Sequence, residues 1–385
     1  MTDIRGSVAP GFEPVRDAFE SNFARHGDVG AGVAVYHHGE LMVDLTGGSA
    51  VDGPYDETTL QLVFSTTKGA AAACVAILVD RGQIDPAAPV GNYWPEFAAG
   101  GKDEVTVEQM LSHRAGIPAV DSMLSIDQIC AVGPVVEALA AQAPLWEPGS
   151  THGYHALTYG WLAGELVRRV DGRSIGAFFA DEVATPLGLD FWIGLPESEE
   201  ARVAPLIPGD PPTDPAEIAQ MLQVAGPGTL GFRALFMNGA LIALGEDSPF
   251  NTRQVHATEM PAANGITNAA SLARMYAACI GEVDGVRLFG VDTMELARRE
   301  RSRGLDACLQ METAFGLGFG LDCDLFGFAG TRGFGHYGAG GSVGFADPES
   351  GLGFGYVMNK MTTGLGSDPR TDALIAAALA ACRAD

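Results

Sequence analysis

The stretch Leu60–Gly82, LQLVFSTTKGAAAACVAILVDRG, decides how the rest of the chain is read. A β-rich run, Leu60 to Phe64, leads into Ser65-Thr66-Thr67-Lys68, and an uninterrupted alanine-rich run leads out. That pattern predicts a strand and then a helix over about Ser65–Arg81, with Ser65 at the helix N-terminus. Ser65 and Lys68 are three residues apart and so share one helix face. The lysine itself is informative. Of 23 basic residues only Lys68, Lys102 and Lys360 are lysines, and the other 20 are arginines. Lysine can lose its proton near neutral pH when its surroundings press it; arginine cannot. Apolar burial and the positive end of a helix dipole both disfavour an ammonium ion. Moving the pKa from about 10.4 to about 7–8 takes about 4 kcal/mol, which those two effects can supply. The first turn is also expected to offer free backbone N–H groups to an anion. On spacing alone two readings stand: a serine nucleophile with a lysine base, or a serine cap followed by a solvated lysine.

Working outward, residues 11–26 read as an amphipathic helix, and AGVAVYHHGELMVDLTGG (31–48) as a hairpin. From the quoted helix to about residue 190 the pattern is mostly helical, punctuated by Pro and Gly. The acidic, proline-rich 196–217 segment is expected to be an exposed loop, and PGTLGFRALFMNGALIAL after it to line a pocket or form a flap. A helix follows over 268–280. The C-terminal part alternates apolar residues with glycine, and GLGFG occurs twice, at 316–320 and 351–355. Both copies read as strand, with one face left bare for close approach of a helix or another backbone. An alanine-rich helix, 371–383, closes the chain. The expected fold is α/β (α+β): an antiparallel sheet from N- and C-terminal strands, flanked by terminal helices, with a mostly helical insertion. Residues 1–64 with 260–385 form the sheet part and 65–259 the helical part, with the active site between them.

At 385 residues, 47% hydrophobic and 18% charged, the chain can bury a large core. A formal net charge of −25 disfavours nucleic acid and anionic membrane as partners. The apolar run Gly69–Val79 is far shorter than the roughly 20 residues of a membrane helix. The N-terminal residues show no apolar core of a signal peptide. Six cysteines without a CxxC pair read as reduced thiols, so the expected location is cytoplasmic.

Two other motifs fail on context. GGSVG (340–344) matches the nucleophile elbow, but a strand-like run follows Ser342 and the last histidine, His336, lies upstream. GFGHYG (333–338) matches a dinucleotide fingerprint, but no helix opens after it. Two further pieces fit a serine–lysine site. Tyr154 follows the Pro148-Gly149 turn just ahead of a helix, where its hydroxyl can carry a proton. GHYGAGGS (335–342) is a glycine-rich strand edge, where a backbone N–H can approach a substrate oxyanion. His152 and His155 flank Tyr154, but no third ligand is near in sequence, and neither metal nor cofactor is expected.

SxxK, a Tyr after a Pro-Gly turn, and HxG ahead of a C-terminal hairpin, in that order, resemble the serine β-lactamase and penicillin-binding-protein superfamily. Within it the chain is most similar to the class C β-lactamase-like branch that includes the family VIII carboxylesterases. QMLSHRAGIP, with His113 and Gly116, is similar to a further segment of that branch, read as structural. The resemblance covers almost the whole chain. It implies Ser65 as nucleophile, Lys68 as general base and Tyr154 as proton shuttle. It also implies oxyanion N–H groups from Ser65 and Ala339, with His336 and Gly338 around the substrate; His155 is expected to pack beside that substrate site and to help orient Tyr154 or Lys68. Two positions depart from the family pattern. Tyr-x-Asn is here Tyr154-His155-Ala156, and the Lys of Lys-Thr-Gly is His336, so a fixed cation for a β-lactam carboxylate is missing. The implied activity is hydrolysis of small to medium acyl esters through an acyl-enzyme on Ser65. The alternatives are a β-lactamase or D-aminopeptidase-type amidase, an acyltransferase, or a non-catalytic assembly protein. The expected partner is a small-molecule ester, and self-association into a homo-oligomer is left open.

Overall fold

The computed structural model describes residues 2–51, 53–242, 247–329 and 332–383. Nine strands form one antiparallel sheet. They are β1 (Ile4–Val8), β2 (Gly30–His37), β3 (Glu40–Gly48), β4 (Ser302–Leu305), β5 (Glu312–Phe315), β6 (Gly320–Leu321), β7 (Phe334–Tyr337), β8 (Val343–Asp347) and β9 (Leu352–Met358). Their order is β1-β3-β2-β9-β8-β7-β6-β5-β4, so N- and C-terminal strands meet at the β2–β9 pair. Helix α1 (Glu13–Arg25) packs against the C-terminal helix α5 (Pro369–Cys382), while α4 (Ala269–Ile280) lies on β2, β8 and β9.

The second GLGFG explains the α4 contact. A Cβ added to Gly353 or Gly355 would stand 2.5–2.8 Å from backbone atoms of Ala269, Ala273 and Ala277 on α4. The glycine face of β9 is therefore filled by helix backbone, as a bare strand face permits. The first GLGFG is different. Gly316–Phe319 form a turn closed by Gly316 N–H to Phe319 O, with Gly318 at φ +86°, and only Gly320 and Leu321 are strand. The same five residues thus fold in two ways. Only the second copy is continued by a β-rich run, Tyr356-Val357-Met358, that pairs with β2.

A smaller four-stranded sheet joins Leu60–Leu62 to Ile266–Thr267 and to Val203–Ala204, with Phe191–Trp192 at its edge. The segment expected to be an exposed loop at 196–217 thus supplies a strand, and Arg202 ties it to Glu199 and Asp190. A two-residue strand carries no periodicity by which sequence could reveal it. The central helix α2 (Thr67–Asp80) packs against α3 (Thr158–Asp171), and every residue from Thr67 to Leu78 is buried. Small side chains allow this. Ala72 lies against Gly318, and Gly69 accommodates the Tyr276 ring.

Candidate active site

The chain turns sharply between Leu62 and α2. Phe64 sits at φ +45°, a left-handed conformation unfavourable for a bulky residue, and holds its ring 4.9 Å from Phe250. This bend brings Ser65 out ahead of the helix, which begins at Thr67, two residues later than the sequence suggests. The expectation of several free N–H groups in the first turn is corrected by the same bend. Thr66, Thr67, Lys68 and Gly69 each donate to the carbonyl three residues back. The N–H of Ser65 has no acceptor among the described residues.

Lys68 is fully buried. Its Nζ lies 2.9 Å from Ser65 Oγ, 2.7 Å from Ala156 O and 3.0 Å from Ala262 O. Burial pushes its pKa well below the ordinary lysine value. In the protonated form Nζ donates to Ser65 Oγ as well as to both carbonyls. In the neutral form it has two N–H bonds and one lone pair; the two carbonyls can only accept, so they take both N–H bonds and leave the lone pair for the Ser65 hydroxyl. Ala156 reaches Lys68 through its main-chain carbonyl, which any residue at this position would present, and it adds no side-chain contact.

Tyr154 lies over the same amine, its ring centroid 4.8 Å from Lys68 Nζ. Burial raises its pKa, with a hydrogen bond to Ser65 acting in the opposite sense. It therefore carries its proton at neutral pH. His336 faces it, with Nε2 3.4 Å from the phenol oxygen. The His336 Nδ1 is 2.6 Å from Tyr337 O, which can only accept, so Nδ1 bears the hydrogen. Burial, with Lys68 adding to it, holds His336 well below the usual histidine value. The ring is neutral, and its Nε2 is an acceptor aimed at Tyr154.

Gly338 fits the turn after β7 tightly against Ser65's own turn. A Cβ there would lie 2.1 Å from Val63 O and 2.9 Å from Thr66 Oγ1. Ala339 follows it, and its N–H has no acceptor among the described residues. Ser342, the serine of GGSVG, is buried and donates to Val63 O at 2.9 Å, with Thr66 Oγ1 3.0 Å away. It fastens the two turns together. GFGHYG forms strand β7 and opens no helix.

His155 packs beside the site against His113 and does not face substrate. Its Nδ1 bonds Gly153 O at 2.7 Å and its Nε2 accepts from Ile117 N–H at 3.1 Å. Both ring nitrogens serve backbone, and the ring is fully buried with its pKa lowered to about 4 by burial. No nitrogen remains for a substrate. His113 accepts from the His155 N–H at 3.0 Å and packs on Tyr154 and Phe315. His152 meets Thr313 Oγ1 at 2.9 Å. Among the described residues no group of three or more His, Cys, Asp or Glu is placed to hold a metal ion. The Ala156 and Ala262 carbonyls were invisible to sequence reading, since main-chain acceptors leave no residue-type signature.

The beta-lactamase family profile matches residues 15–379. The esterase/beta-lactamase LipL of Mycobacterium tuberculosis is 36% identical over 372 residues, covering 94% of this chain and 84% of that protein. The crystal structure of a family VIII carboxylesterase superposes with a TM-score of 0.89 at 38% identity, over 98% of this chain and all of that one. A penicillin-binding protein homolog from Caulobacter crescentus gives a TM-score of 0.87 at 40% identity, with 98% and 100% covered.

Proposed function

The chain belongs to the beta-lactamase family and is a serine hydrolase of that fold, and from that premise we propose that it is a carboxylesterase with its acyl-enzyme on Ser65. One observation carries the reading: Lys68 Nζ stands 2.9 Å from Ser65 Oγ with both of its N–H bonds assigned to carbonyls. Neutral Lys68 takes the Ser65 proton as Oγ attacks the acyl carbon. The oxyanion lies between the N–H groups of Ser65 and Ala339. Tyr154 protonates the departing alkoxide and regains a proton from Lys68. Water then attacks the acyl carbon and gives its proton to the same pair, and collapse of the adduct breaks the bond to Ser65 Oγ, which takes that proton back as the carboxylic acid leaves.

Two features support esters over β-lactams. His336 is neutral, so no fixed cation awaits a carboxylate, and Ala156 presents no side-chain amide. The site draws on both the sheet-forming segments, through His336 and Ala339, and the helical segment, through Ser65, Lys68 and Tyr154. We place it at their junction. The free thiols of Cys74, Cys130, Cys279, Cys308 and Cys323 support a reducing, cytoplasmic setting, and no helix of the described residues is long and apolar enough to cross a membrane. The reading is tested with p-nitrophenyl esters of graded chain length beside nitrocefin. Ester turnover should dominate and vanish in Ser65→Ala, which also loses fluorophosphonate labelling. Nitrocefin turnover exceeding that of every ester would transfer the protein to the lactamases.

A further inference from the structure

Tyr154 has no helix or strand of its own; it stands in the connection before α3. A proton carrier in an irregular segment needs something to fix it. Asp306, in the turn between β4 and β5, is fully buried and pairs with no Lys or Arg among the described residues. Its Oδ1 accepts from three backbone N–H groups: Tyr154 at 3.0 Å, Cys308 at 2.8 Å and Leu309 at 2.9 Å. Its Oδ2 accepts from Thr313 Oγ1 at 3.1 Å, and Thr313 Oγ1 in turn meets His152 Nε2. A second tie runs beside it, from Ala307 N–H to His152 O at 3.1 Å. A buried carboxylate without a counter-cation is costly unless hydrogen bonds satisfy it. Here all four donors come from the two segments whose relative position sets Tyr154. Cys308 and Leu309 would be equally served by a neutral turn; the Tyr154 N–H is the partner that this turn reaches across the chain to hold.

We infer that Asp306 is a positioning residue for the reaction. It locks the Tyr154 main chain onto the β4–β5 turn, so that the phenol meets His336 Nε2 and the Ser65–Lys68 pair. This rests on the proton-carrying role given to Tyr154 above. Misplacing a reacting group by about 1 Å can cost about 100-fold in rate.

The test is a double-mutant cycle on kcat for a p-nitrophenyl ester with Asp306→Ala and Tyr154→Phe. Asp306→Ala should lower kcat about 10- to 100-fold with KM little changed, and Ser65 should still react with fluorophosphonate. In the Tyr154→Phe background the same change should cost almost nothing, because the hydroxyl it positions is gone. Asp306→Asn, which keeps Oδ1 as acceptor, should retain most of the wild-type kcat. Losses that multiply in full would show that Asp306 acts through general stability, and wild-type kcat in Asp306→Ala would show no positioning at all. If Tyr154→Phe itself keeps wild-type kcat, the role of Tyr154 is wrong and the inference falls with it. Should Asp306→Ala fail to fold, Thr313→Val frees Oδ2 and runs the same cycle with a smaller loss.

Discussion

Lys68 and Lys102 are both buried, and each side-chain nitrogen has three oxygen partners. They differ in where they sit on a helix. Lys102 bonds the carbonyls of Ala99, Ala140 and Gln142, the last two at the C-terminal end of the helix Gly133–Ala141. That end is the negative pole of a dipole, and three carbonyls favour a cation. Burial lowers Lys102 only to about 8, so it stays charged at neutral pH. Lys68 lies in the first turn of α2, the positive pole, and one of its three partners is a hydroxyl that can give up a proton. Burial takes it much further down. Deeper burial lowers Lys68 further than Lys102, and the helix pole and the hydroxyl partner act in the same direction.

The largest effect that would break this comparison lies at Lys68 itself. Lys68→Arg should cut kcat/KM for a p-nitrophenyl ester by about 10³-fold or more, since Arg cannot accept a proton. Retention of most activity would reduce Lys68 to the status of Lys102. Next comes the second proton carrier. Tyr154→Phe should lower kcat about 100-fold with the melting temperature little changed. Were Tyr159→Phe to give the large loss instead, the neighbouring phenol would be the carrier. His336→Ala should cost about tenfold, because only an acceptor for the Tyr154 hydroxyl is removed. A loss as deep as that of Ser65→Ala would give His336 a proton-transfer step of its own. The smallest effect on rate sharpens the contrast from the other side. Lys102→Met should leave kcat near wild type while lowering unfolding free energy by about 1–3 kcal/mol, as three carbonyls lose their donor. Ser342→Ala should behave similarly, since its hydroxyl ties one turn to another; complete inactivation would revive it as a nucleophile.

The sequence carried the side chains of the proposed site further than their setting. Ser65 and Lys68 were legible as candidates because a spacing of three brings two side chains together in one tight turn, and Tyr154 and His336 because each stands beside a turn. The setting was not legible, because it is made of main chain and distant residues. Ala156 O and Ala262 O carry no residue-type signal, and Asp306 lies 152 residues from the N–H it holds. The helix start also escaped, since nothing in VFSTTK announces that Phe64 adopts a left-handed conformation. The paired GLGFG segments make the same point for the fold. Composition marked both as tight, but only pairing with β2 made the second a strand.

The central claim is that Lys68 is neutral and draws the proton from Ser65. Its most direct measurement is the pH dependence of the rate at which a fluorophosphonate labels Ser65, followed before substrate chemistry intervenes. The rate should rise with pH, because the neutral amine is the active form, through an ionisation well below the roughly 10.4 of free lysine. That ionisation should disappear in Lys68→Arg and persist in Lys102→Met. A rate independent of pH, or equally fast labelling of Lys68→Arg, would contradict the claim.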